Sequence, residues 1–275
     1  MITADIILVI LAFIGLTISS IVDIKKREIP NWTNFSMVAA ALAIRLMHST
    51  LTQEWYYFLY GLLGFAIMLA IGNLMYYTKQ WGGGDSKLLF AIGAIFATKP
   101  YFVKDFKLPF LVTFFLAILM TGAVYSLVYS LVLAIQNRKK FWKELKYLNN
   151  KHRTLRTVVV FFAFIVAAMG FSIISTASTP ILIFAAVLII SVYWIMFAKA
   201  IEASCLIKSI PVSKLTEGDW ILDEKIIKKY KIPKTGIELK QIKALKKSNI
   251  KKITIKEGIP FAPAFLITLI IILLI

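Results

Sequence analysis

Eight runs of apolar residues decide most of what this chain can become. They are Ile6–Val22, Trp32–His48, Trp55–Thr78, Ser86–Thr98, Leu108–Ile135, Thr157–Thr176, Ile181–Ala198 and Ile259–Ile275. A helix that crosses a bilayer takes about 20 mostly apolar residues. At that depth the backbone must satisfy its own hydrogen bonds. The expected fold is therefore an all-α polytopic membrane protein of about eight transmembrane helices. Composition agrees, with 59% hydrophobic and 17% charged residues, where a soluble domain carries about 25% charged. A soluble globular enzyme, a disordered chain and a disulfide scaffold are excluded. One cysteine and two distant histidines give no internal disulfide and no structural zinc site. The first run lacks a basic start and a small-residue cleavage site, so it reads as a retained helix. Thr176–Pro180 is short and polar, and Pro180 separates the sixth run from the seventh.

Charge sets the expected orientation. The formal net charge is +18, and 28 of the 32 basic residues lie in four regions. These are Lys25–Arg27, the surroundings of Lys79 and Lys87, Arg138–Arg156 and Lys199–Lys256. An eight-span alternation puts all four on one side, which the positive-inside rule makes cytoplasmic. The protein is expected in the plasma membrane, with anionic lipid headgroups rather than nucleic acid as the partner of its positive charge.

The chain divides by composition into a membrane part (1–135), a basic amphipathic segment (136–156), two further spans (157–200), a Lys-rich cytoplasmic module (201–258) and a last span (259–275). In the basic segment, Phe141, Leu145 and Leu148 recur at helical spacing beside Trp142. Two readings stand: a helix lying on anionic lipid, or a solvated charged loop. In the module, Thr235 and Glu238 form a capping-box pattern ahead of Leu239, Ile242 and Leu245. Lys252–Lys256 alternates like a strand. A small α+β module follows.

Two carboxylates border the apolar runs on the basic side: Asp23, closing the first, and Asp85, opening the fourth after Trp81-Gly82-Gly83-Gly84. A charge deep in a bilayer costs roughly 2.5–3.5 kcal/mol on insertion scales, and such residues usually serve a function. The fourth run has 13 residues, about 20 Å of helix, against a hydrocarbon core of about 30 Å. Asp85 is therefore expected below the headgroups, on the floor of a water-accessible notch shaped by the glycines. The plainer readings are an N-cap for Asp85 and pairing with Lys25 or Lys26 for Asp23. Taken together, two carboxylates at matching depth suit one chemistry. Like charges at close quarters hold one shared proton. The ionised member draws a proton from water while the protonated member polarises a peptide carbonyl.

These residues resemble a known family. Asp23-Ile24-Lys25-Lys26-Arg27-Glu28-Ile29-Pro30-Asn31 looks like the first aspartate motif of the type IV prepilin peptidases, and Gly82-Gly83-Gly84-Asp85-Ser86-Lys87 looks like their GxGD motif. Glu257-Gly258-Ile259-Pro260-Phe261-Ala262-Pro263 resembles the start of their last helix, and the Lys-rich module is similar to that of the archaeal prepilin and preflagellin peptidases. The resemblance implies an aspartic endopeptidase with Asp23 and Asp85 catalytic and no cofactor. Its implied substrates are pilin-like or archaellin-like precursors, cut behind a short basic class III leader at the cytoplasmic face. Bacterial relatives often add a four-cysteine zinc region and N-methylation. With Cys205 alone, neither is expected here.

Smaller expectations concern the neighbours. Gly82 and Gly84 shape the notch, and Pro30 fixes the start of the second helix. Lys87 either snorkels to headgroups or acts beside the dyad. Gly61, Gly64 and Gly72 against Ala91, Ala94 and Ala97 form packing faces. A transporter that relays charge through its carboxylates and a non-enzymatic membrane scaffold are the rival functions.

Overall fold

The computed structural model describes residues 2–172, 178–233, 235–248 and 250–274. Their helices are α1 (Ile2–Lys26), α2 (Asn31–Thr52), α3 (Trp55–Tyr77), α4 (Gly83–Ile95), α5 (Phe110–Gln136), α6 (Arg138–Lys151), α7 (Arg153–Ser172), α8 (Ser178–Ile201), α9 (Glu224–Tyr230), α10 (Leu239–Lys246) and α11 (Ala262–Leu274). Three short strands complete the order: β1 (Ile207–Pro211), β2 (Trp220–Ile221) and β3 (Lys252–Lys256). Each of the eight apolar runs holds a helix. Six helices (α1, α2, α3, α5, α7 and α8) are long and apolar enough to cross a membrane. The other two, α4 and α11, have 13 residues each. The protein is a multi-pass helical membrane protein with a small sheet-bearing module. The polar gap expected between the sixth and seventh runs lies largely outside the described residues. Pro180 falls in the first turn of α8, where its missing N–H costs nothing.

The chain forms two compact units. The first comprises residues 1–129 and 209–275. Its hub is α4, packed against α1, α2 and α3, with Leu88, Leu89, Ala91, Ile92 and Ala94 fully buried. Glycine makes that approach possible. A Cβ on Gly64 would run into the Gly93 carbonyl, and one on Gly93 into the Gly64 carbonyl. Helices α1 and α11 also pack together.

The module of this unit has its own apolar core, including Ile237, Ile242, Leu245, Ile253 and Ile255. Its sheet runs β1-β3-β2, with β2 antiparallel to β3 and Ile221 opposite Ile255. The alternation of Lys252–Lys256 is that of β3, which buries Ile253 and Ile255. The capping box lies one step beyond the Thr235–Glu238 pair. Glu238 itself is the N-cap of α10, and its N–H donates to Gln241 Oε1 at 2.8 Å.

The second unit, residues 130–208, holds α6, α7 and α8. Of the two readings left open for the basic segment, a lipid-lying helix or a solvated loop, the segment is a helix, α6, and its apolar face meets protein. Phe141 is buried against Phe197 of α8, with ring centroids 5.6 Å apart, and Leu145 and Leu148 pack with Ala200, Ile201 and Cys205. Protein covers the apolar face of the helix. Trp142, Tyr147 and the lysines are left exposed.

Candidate active site

Four chain segments converge on the two aspartates: the end of α1, the start of α2, the turn into α4 and the start of α11. Asp23 lies one turn from the end of α1 and is buried, 6% exposed. The Ala262 N–H donates to its Oδ2 at 2.9 Å, and the Phe261 N–H lies beside it. They stand at the N-terminus of α11, on its first residue and the one before it, where the helix leaves N–H groups unpaired and favours a negative group. Asp23 is therefore held by the terminal Ile-Pro-Phe-Ala block and not by Lys25 or Lys26.

Asp85 is the third residue of α4, whose N-cap is Gly82. It is not itself the cap. A backbone hydrogen bond from Gly82 reaches its carboxyl. Its Oδ1 is shut off from solvent with no hydrogen-bond partner among the described residues. Asp85 lies within electrostatic reach of Asp23.

Aromatic packing brings the halves together. Trp81, just before the glycine triplet, packs on Phe261 and Phe265 with centroids 5.5 and 5.7 Å away. Such pairs add about 0.5–1.5 kcal/mol each beyond burial. The turn carrying Asp85 is thereby pressed against the segment that binds Asp23.

Gly82 has φ −69°, and Gly218 and Gly236 are the positive-φ glycines among the described residues. The triplet therefore serves close approach rather than a left-handed turn. A Cβ on Gly84 would lie 2.9 Å from Ile29 Cβ, and one on Gly82 would lie 3.2 Å from Asp85 Oδ2. Pro30 is the N-cap of α2, in extended conformation. It sets Ile29 against Gly84 and lets Asn31 open the helix. Lys87 donates from Nζ to Asn31 Oδ1 at 2.6 Å, tying the start of α4 to the start of α2. Asn34 Nδ2 reaches the Gly84 carbonyl at 3.5 Å.

Arg27 was visible in the sequence only as one of a basic cluster. It has φ 59° and ends α1 sharply. Its guanidinium donates to Tyr129 Oη at 2.6 Å and to the Gly258 carbonyl at 3.1 Å, and its charge acts on Asp23. The signal for Tyr129 was the Tyr125–Tyr129 pair, one helical turn apart in α5, with rings 6.0 Å apart.

Comparison with known proteins finds two relatives and one family match. The preflagellin peptidase of Methanocaldococcus jannaschii is 35% identical over 86 residues, covering 31% of this chain and 36% of the relative. That of Methanococcus voltae is 28% identical over 132 residues, covering 46% and 56%. The matched stretches thus span under two thirds of either relative. Residues 10–127, which hold both aspartates, match the type IV leader peptidase family.

Proposed function

We propose that the protein is a membrane aspartic endopeptidase that removes basic class III leaders from pilin-like or archaellin-like precursors at the cytoplasmic face. What supports this reading is that Asp23 and Asp85, from two different helices, lie within electrostatic reach of each other. The ionised carboxylate takes a proton from water as the oxygen attacks the scissile carbonyl. The protonated partner gives its proton to the carbonyl oxygen. Collapse of the tetrahedral species breaks the C–N bond as the proton taken from water passes to the leaving amine and one hydroxyl of the diol returns its proton to the carboxylate that gave one. No covalent intermediate forms. Gly82 and Gly84 leave room around Asp85, while Pro30, Asn31 and Lys87 hold the mouth of α4.

The same proposal includes eight spans, α4 and α11 among them, with the site toward the cytoplasm. Support for that count comes from the one-sided distribution of the basic residues. The lysines of α6 and of the module then meet anionic headgroups, and the precursor helix arrives by lateral diffusion.

The test is cleavage of a pilin-type precursor by the purified chain in vesicles. The unsubstituted protein is expected to release a leader-sized fragment. Asp23→Asn and Asp85→Asn, each still folded, are expected to lose about 10²–10⁴-fold in rate, the usual worth of a positioned acid or base. Unchanged cleavage in either variant would overturn the proposal.

A further inference from the structure

The far end of α4 carries a second buried polar cluster, outside the chemistry above. Arg45 of α2 has no exposed surface. Its Nε donates to the Ala94 carbonyl at 2.8 Å, and its Nη2 to the Ile95 carbonyl at 2.8 Å and to Thr98 Oγ1 at 3.1 Å. Its Nη1 donates to the Tyr57 carbonyl at 2.9 Å, and the guanidinium lies 4.4 Å from the centroid of the Tyr57 ring. The Tyr57 hydroxyl donates to Asp5 Oδ1 at 2.7 Å, and the Tyr101 N–H to Asp5 Oδ2 at 3.0 Å. Asp5 is 3% exposed. Gly61 makes the room, because a Cβ there would run into Arg45 Cδ.

Ala94 and Ile95 form the last turn of α4. Their carbonyls have no partner within the helix, and unpaired they would be costly in an apolar bundle. A planar cationic fork is suited to them, with several donors and the sign that a helix C-terminus favours. This is how a 13-residue helix can stop inside the bundle. The grip also falls at both ends. Asn34 meets the Gly84 carbonyl and Arg45 meets the Ile95 carbonyl, and the contacts are eleven positions apart on each helix (34 to 45, 84 to 95). Helices α2 and α4 therefore run parallel and in step. Asp85 and Ile95 are ten residues apart, about 15 Å of stiff helix.

We infer that Arg45 is a positioning residue. Clamped on the far end of α4, with Asp5 as its counterion through Tyr57, it sets the depth and rotation at which Asp85 meets Asp23. Its role in cleavage rests on the peptidase reading, while its effect on the placement of residue 85 does not.

The test uses the full chain in vesicles. In a Cys205→Ser background, Asp85→Cys reports the depth of position 85 through its reaction with a water-soluble maleimide. Adding Arg45→Met is expected to change the labelling rate at least tenfold, and adding Arg45→Lys is expected to change it less. With Asp85 intact, Arg45→Met lowers kcat for precursor cleavage tenfold or more at unchanged KM, and Arg45→Lys recovers part of the loss. A purely structural role would reduce the yield of folded protein while leaving labelling rate and kcat per folded molecule as they were. That result overturns the inference. Should Arg45→Met not fold, Arg45→Lys decides, and wild-type labelling and kcat in it overturn the inference equally. A labelling shift without precursor cleavage by the unsubstituted protein sinks the peptidase reading and supports the positioning role.

Discussion

Arg27 joins three segments of the site through one side chain. A hydrogen bond to a charged group contributes about 1.5–3 kcal/mol, so losing the bonds to Tyr129 and Gly258 loosens the backbone that holds Asp23. Initial cleavage rates are expected to fall at least about tenfold in Arg27→Met and by less in Tyr129→Phe, which keeps the bond to Gly258. Equal rates in all three proteins would exclude this role. Asp23 and Asp85 were legible in the sequence because a carboxylate bordering an apolar run is costly unless it is used. Arg45 and Asp5 were not legible. Each stands near the end of a run, where a flanking charge and a buried one look alike. Their partners are main-chain carbonyls, a phenol and an N–H, which leave no charge pattern to read. The Lys87–Asn31 bond was hidden for a similar reason, since the two residues are 56 positions apart.

Among the elements, α4 is the unusual one, since its shortness is matched to side chains on a neighbour rather than to its own length. Its crossing with α3 depends on bare backbone at Gly64 and Gly93. Overpacking there costs about 1–3 kcal/mol, so Gly64→Ala or Gly93→Ala is expected to lower the thermal unfolding midpoint in detergent. Gly258→Ala serves as the control, because nothing lies within 4 Å of a Cβ at that position, and its midpoint should not move. A midpoint unchanged in the first two variants would refute the close crossing. The apolar runs, the strand Lys252–Lys256 and the helix around Ile242 were readable from periodicity alone. The fate of the α6 stripe was not. Phe141, Leu145 and Leu148 show only that one face seeks cover, and an apolar stripe is the same whether α8 or lipid covers it.

The whole molecule carries a charge of +18, with lysines exposed on α6, α9 and α10. A basic residue near an anionic leaflet contributes about 1 kcal/mol, and the effect fades beyond a Debye length. Cleavage in vesicles is expected to run several-fold faster with phosphatidylglycerol present than in phosphatidylcholine alone, and the advantage should shrink at high salt. Rates independent of both would remove lipid charge from the account. The bond from the Ala262 N–H to Asp23 spans 239 positions of the chain. Asp23 emerges from the ribosome 239 residues ahead of the group that holds it. A nascent chain that has not yet reached Ala262 therefore carries Asp23 without the N–H that clasps it.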